Sequence, residues 1–219
     1  RSRAKNDLLY RLLTRACLTA SEINAQLRTG HPLGARARWR TLHEIHVVAT
    51  LLADGDDELT QRYIAHEHHL LGKDGTDRGP APRGEGRRLR GAGVSTDEDV
   101  GFRERTSKRV GALFQPPITG ENGWARILFP KDGEGGSPAF PKAVRFSDLE
   151  EKAGRDHHRP DYRASAHLIH ADAVGLSYNR VDHLGDVVDL VGPANIGLGE
   201  PASAAATSLA EVSRVVANA

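Results

Sequence analysis

Residues 161–176 read DYRASAHLIHADAVGL. Wound as an α-helix, this stretch sets Tyr162, Ala166, Ile169, Ala173 and Leu176 on one apolar stripe at 4, 3, 4, 3 spacing. Arg163, His167 and His170 lie beside the stripe, at offsets of four and seven residues from the arginine, so all three project from one face. The spacing predicts a helix over Asp161–Leu176 with a cation and two imidazoles at the edge of a buried surface. Such a helix needs neighbours to cover its apolar side.

The flanking sequence supplies them. Asn6 to Leu27 repeats leucine, isoleucine and alanine at helical period, and Gly30 is a plausible stop. Ala35 to Ala53 has two apolar strips, Leu42, Ile45, Val48, Ala49 and Leu52 on one and Val47 and Leu51 on the other, as expected of a central helix. Arg36, Arg40 and Glu44 form a four-residue ladder on another side, in which Arg40 and Glu44 have the spacing of a helix ion pair. ADGDDE (53–58) is a turn, and a third helix is predicted from there to about Leu71. A capping signature at Ser95–Glu98 predicts a helix to about Phe114, and Ser147–Glu150 opens a short one. Ser177 to Val191 alternates apolar and polar residues around His183–Asp186, which predicts a small hairpin. Glu200-Pro201 begins the last helix. The expected fold is therefore all-α: one domain over residues 1–219, a bundle of about six helices with a small β-hairpin near the C-terminus. Two mobile loops are expected, the basic 72–94 and the Gly/Pro-rich 131–144.

Composition narrows the class. The 219 residues carry 30 basic and 29 acidic side chains, so net charge argues for no partner and only local patches matter. The arginines at 83, 87, 88 and 90 are one such patch, either solvated or in contact with nucleic acid. One cysteine, Cys17, forbids an internal disulfide and makes a cytoplasmic setting the expectation. No run of about 18 apolar residues is present, so no membrane span is expected. There is no methionine, which leaves open that the chain is a piece of a longer protein.

The chemistry-bearing residues fall into two groups. His43/His46, His66/His69 and His167/His170 are i, i+3 pairs that a bundle interior can bring together around a metal. That reading uses His43, His66, His170, Glu44 and Glu67. Neither glutamate has a histidine three residues later, so the di-iron carboxylate pattern is absent, and no metal or other cofactor is predicted. The second group is Arg163 and, seven residues on, His170. Cleavage of RNA needs a base for the ribose 2′-hydroxyl and a cation for the phosphorane charge, and this pair supplies both. Equally, an arginine and a histidine on such a helix anchor neighbouring chains without any chemistry. Glu44 is expected to approach Arg163 or His170, because a charge beside an apolar face needs a partner.

The Arg163…His170 spacing resembles the R-x(4–6)-H signature of HEPN ribonucleases. That resemblance implies a metal-independent ribonuclease of a defence or toxin system, active as a homodimer on RNA, with Arg163 and His170 acting and His167 and Glu44 in support. Three stretches, 36–67, 162–179 and 192–209, together resemble a bacterial all-helical family catalogued only as a domain of unknown function. The resemblance marks Arg40, Glu44, Arg62, Tyr162, Arg163, Ser165, His170 and Asn195. A non-catalytic interaction module of a larger protein, and a metal-binding bundle, are the alternatives.

Overall fold

The structure, a computed structural model, describes residues 2–77, 105–132, 138–170, 172–189 and 191–219. Most of the basic segment 72–94, the capping signature at Ser95 and part of the loop 131–144 lie outside the described residues. The chain is mostly helical and divides into two compact units, Arg1–Gly55 with Leu149–Ala219, and Asp56–Asp148.

In the first unit α1 (Arg3–Arg28) and α2 (Pro32–Asp54) form an antiparallel pair, and α6 (Gly199–Asn218) packs on both. The side chain of Ser2 accepts from the Lys5 amide and starts α1, whereas Pro32 occupies the first turn of α2, where no amide proton is needed. Ala16 and Ile23 from α1, Ala35, Trp39, Leu42 and Ile45 from α2, and Ala205 and Val212 from α6 make one buried cluster. Trp39 donates from its indole nitrogen to Ser208 Oγ at 3.0 Å, so the largest side chain of this core leaves no buried donor unmet. Lys5 is buried, and its ammonium donates to the Ala53 and Gly55 carbonyls, each at 2.7 Å, which closes the end of α2.

Two shorter helices complete this side, α4 (Phe146–Lys152) and α5 (Arg159–His167). The helix expected over Asp161–Leu176 is thus cut to its first half. After His167 the chain tightens into i→i+3 bonds, Leu168 N to Ser165 O and Ile169 N to Ala166 O, and leaves the helix axis. Beyond that point the apolar stripe is not buried: Ile169, Ala173 and Leu176 are all exposed. Strands β3 (Arg180–His183) and β4 (Asp186–Asp189) follow as an antiparallel hairpin within the segment 177–191, pairing Arg180 with Asp189 and Val181 with Val188. Leu184 and Gly185, at φ 56° and 90°, make the two-residue turn that matches strand twist.

The second unit contains α3 (Asp57–Asp77), helical residues 105–111, a 3-10 turn at Gly123–Leu128, and an unforeseen strand pair, β1 (Lys131–Asp132) with β2 (Pro138–Ala139). Its centre is Arg62, fully buried, which donates to the Trp124 carbonyl at 3.0 Å and the Pro116 carbonyl at 2.6 Å and lies over the Phe114 ring. His66 and His69 clamp one residue from both sides: the first donates to Gly120 O at 3.0 Å, the second accepts from Gly120 N at 3.1 Å.

Among the described residues no helix is long and apolar enough to cross a membrane. Replacing Arg62 by Met keeps the volume but leaves two carbonyls buried without donors, each costing about 1–3 kcal/mol. In a Trp39→Phe background, where Trp124 is the one remaining indole, urea denaturation followed by fluorescence should show a loss of roughly 2–5 kcal/mol for Arg62→Met.

Candidate functional site

The inner face of α2 carries a buried polar chain. His43 Nε2 stands 2.9 Å from Glu150 Oε1, with the two side chains 0% and 1% exposed. A carboxylate oxygen can only accept here, so Nε2 carries the proton. Arg159, at the start of α5, donates to the other oxygen of Glu150 at 3.2 Å. The imidazole of His43 stacks on Trp39 and meets His158 and Tyr162 at ring distances of 5.4 and 5.6 Å. One turn along α2, His46 lies 3.4 Å from Glu211, which Arg155 also holds, at 3.0 Å.

Burial decides the charge of these groups. It lowers His43, against the opposing hydrogen bond of Glu150. It lowers His46 to about 4, helped by the Arg155 cation and opposed by Glu211. It lowers His158, with His157 and His43 adding to the effect. Tyr162 is raised by burial and by its hydrogen bond to Glu44. This network is neutral imidazole and paired carboxylate, closed from solvent at its centre, and suited to holding helices together.

The predicted site residues sit elsewhere and are only partly brought together. Arg163 and His167 lie one turn apart on α5, and Arg163 is exposed. His170 lies past the end of the helix, exposed, so it does not share a helix face with Arg163 as the single-helix reading required. Glu44 contacts neither. It accepts from Tyr162 Oη at 2.6 Å and lies 3.3 Å from Arg40 Nε, while the Arg40 guanidinium covers the Tyr162 ring at 4.5 Å. The reason is helical phase: Tyr162 points inward toward α2, and Arg163, about 100° further round, does not. Ser165 is buried and donates to Asp161 O, an ordinary back-bond within the helix.

One residue absent from the sequence reading completes an arrangement with chemical potential. Asp172 Oδ2 accepts from His167 Nδ1 at 2.7 Å, and its Oδ1 accepts from Gly175 N at 2.8 Å. The Gly175 amide, then His167, hold the Asp172 carboxyl below its usual range. The side chains of His167 and Asp172 are 38% and 40% exposed. With its Nδ1 proton given to Asp172, His167 keeps Nε2 as a basic nitrogen, which has no partner among the described residues. The turn is tightly specified: a Cβ on Gly175 would stand 2.2 Å from the His167 carbonyl oxygen, so only glycine fits. The D-x-x-G spacing of Asp172 and Gly175 is the sequence signal that marks such a turn.

No three His, Cys, Asp or Glu side chains converge to hold a metal ion among the described residues. His43, His66 and His69 instead have carboxylate or peptide partners.

Fold and surface define a mostly helical chain with a histidine–carboxylate pair at one exposed turn. The chain belongs to a family of unknown function, DUF5677, whose profile matches residues 6–187. The match takes in the middle of the chain as well as its beginning and stops before the third stretch, 192–209, on which the resemblance was also read. No curated protein and no solved structure matches the chain.

The buried imidazoles make stability depend on pH. Folded His46 takes up its proton near pH 4 and the unfolded residue near 6.5, so between these values the unfolded state binds more protons. The stabilisation is full above about pH 6.5 and is lost as pH falls toward 4. His43 and His158 act in the same sense. Unfolding free energy measured across this range should fall with acidity, and His46→Gln, which stays neutral, should flatten the slope. An unchanged slope in His46→Gln would assign the acid sensitivity to other groups.

Proposed function

We propose that this chain cleaves RNA without a metal, using the exposed surface formed by Arg163, His167, Asp172 and His170. The observation that carries the reading is the His167–Asp172 pair: an imidazole with one nitrogen anchored at 2.7 Å, the other free of partners among the described residues, and a cation one helical turn away. In this reading His167 Nε2 takes the proton of a ribose 2′-hydroxyl. The 2′-oxygen then bonds to phosphorus, and the bond to the 5′-oxygen breaks, leaving a 2′,3′-cyclic phosphate. His170 gives a proton to the departing 5′-oxygen, and Arg163 balances charge on the non-bridging oxygens. The resemblance to HEPN ribonucleases supports it through Arg163 and His170. His167, at R-x(3)-H spacing, is the base because Asp172 orients it.

The test is a fluorogenic RNA assay with purified protein in excess chelator. His167→Ala should lower the rate about 100-fold or more, the usual contribution of a positioned base. Asp172→Asn keeps the acceptor for Gly175 and should lower the rate less. Chelator-resistant cleavage that is undiminished in a folded His167→Ala protein removes the proposal.

A second reading, a non-catalytic interaction module, is favoured by a separate observation. Ile169, Val174, Leu176, Leu184, Val187, Val191 and Ile196 are all exposed within one short stretch of chain, and such a concentration of apolar surface marks contact with another molecule. On this reading the chain self-associates through the hairpin. Sedimentation should report a dimer that Leu184→Asp, which suits the positive φ of that turn, converts to monomer.

A further inference from the structure

A pocket of about 310 Å³ opens between the turn joining α1 to α2 and the segment that leads into α6. Its wall is fixed by backbone. Ala194 N donates to Gly30 O at 2.8 Å, and Gly30 adopts φ +76° where a Cβ would stand 3.0 Å from Pro193 Cβ and 3.1 Å from Ala194 N. No side chain fits there, so the two segments close on each other through glycine alone. Pro32, Leu33, Tyr178, Val181 and Ile196 supply an apolar lining, a combination of preformed shape and greasy wall typical of small-molecule sites.

Arg36 is the one lysine or arginine in the lining. Its side chain is 18% exposed, its Nε is buried without an acceptor, and its ring-side neighbour is Tyr178 at 5.8 Å. Two carboxylates reach the guanidinium, Glu200 at 2.9 Å and Asp161 at 3.9 Å, and both belong to side chains more than half exposed. Glu200 accepts from both ends of the guanidinium, Nη2 to Oε1 at 2.9 Å and Nη1 to Oε2 at 3.3 Å, the two-point fork in which arginine holds a carboxylate. The first turns of α2 and α6 meet the same space, and neither has a side-chain cap. A ligand carboxylate that takes the place of Glu200 on Arg36 also meets these two uncapped helix N-termini.

We infer that this pocket binds a small organic acid, its apolar body against Leu33, Tyr178, Val181 and Ile196 and its carboxylate on Arg36 in place of Glu200. None of these residues belongs to the Arg163–His167–Asp172 surface, so the two assignments stand or fall separately.

The probes are 4-phenylbutyrate, its uncharged amide and inorganic phosphate, titrated into the full chain while the amide resonances of Gly30, Gly34 and Gly197 are followed by NMR. The acid should shift these glycines and bind about tenfold or more tighter than its amide, the difference one charge-assisted hydrogen bond makes. Phosphate, which has no apolar body, should bind more weakly than the acid. Glu200→Gln removes the competing carboxylate and should tighten the acid severalfold. Arg36→Gln should abolish the preference for acid over amide. Val181→Trp, which leaves every charge in place and fills the cavity, should abolish binding whether or not Arg36→Gln folds. Unmoved glycine resonances, equal affinity for acid and amide, phosphate binding as tightly as the acid, or weaker binding in Glu200→Gln would each overturn the assignment.

Discussion

A carboxylate with 1% exposure, Glu150, is the most demanding group the first unit has to house. An unpaired buried charge costs several kcal/mol, so Glu150 is tolerated only where donors meet both of its oxygens. His43 from α2 meets one and Arg159 from α5 meets the other. α4 and α5, neighbours in sequence, are therefore held together with the distant α2 at a single point. Tyr162, one turn beyond Arg159, packs on His43 and donates to Glu44, so α5 is gripped twice along its inner side. What remains of that short helix for solvent is the side bearing Arg163 and His167.

Three histidines stand beside carboxylates in this unit with different burial; two of the contacts are hydrogen bonds, and the third, His46–Glu211, is an approach of 3.4 Å without one. His43–Glu150 is closed, His46–Glu211 has a buried imidazole and a one-third exposed carboxylate, and His167–Asp172 is open on both partners. Burial leaves the first two imidazoles neutral and hard to protonate, so they cement helices and report acidity only through stability. Of the three imidazoles only that of His167 is open to solvent, 38% exposed against 0% and 1%. Solvent access, rather than residue type, separates the three histidines.

The long helices were legible because their apolar residues recur over six or seven turns, and a period repeated that often is hard to imitate by chance. α1 and α2 begin three residues before the expected Asn6 and Ala35, and α6 one residue before the expected Glu200. The hairpin was legible through alternation and its Leu-Gly turn. Glu150 and Arg159 were not, because a seven-residue helix has too few positions to display a buried face. Arg62 was marked only by resemblance; nothing in its local pattern distinguishes a buried arginine from a solvated one. His43, His46 and His66 read as possible ligands because spacing says which residues share a face and not what faces them.

The misplaced end of α5 has a further consequence. Had the helix continued to Leu176, Asp172 would stand five residues from His167, about 140° around the axis, and their side chains would diverge. Because the helix stops at His167, the chain can double back, bring Gly175 against the His167 carbonyl, and turn Asp172 to face the imidazole. The apolar stripe argued for continuation, and it lost to local bonds: the Asp172 cap on Gly175 and the i→i+3 closures after Ser165 offer the backbone partners that another helical turn would have supplied. Ile169, Val174 and Leu176 are left in solvent as a result, so forming the His167–Asp172 pair also creates the exposed apolar surface beside it. One early helix stop thus produces both features on which a function for this face can rest.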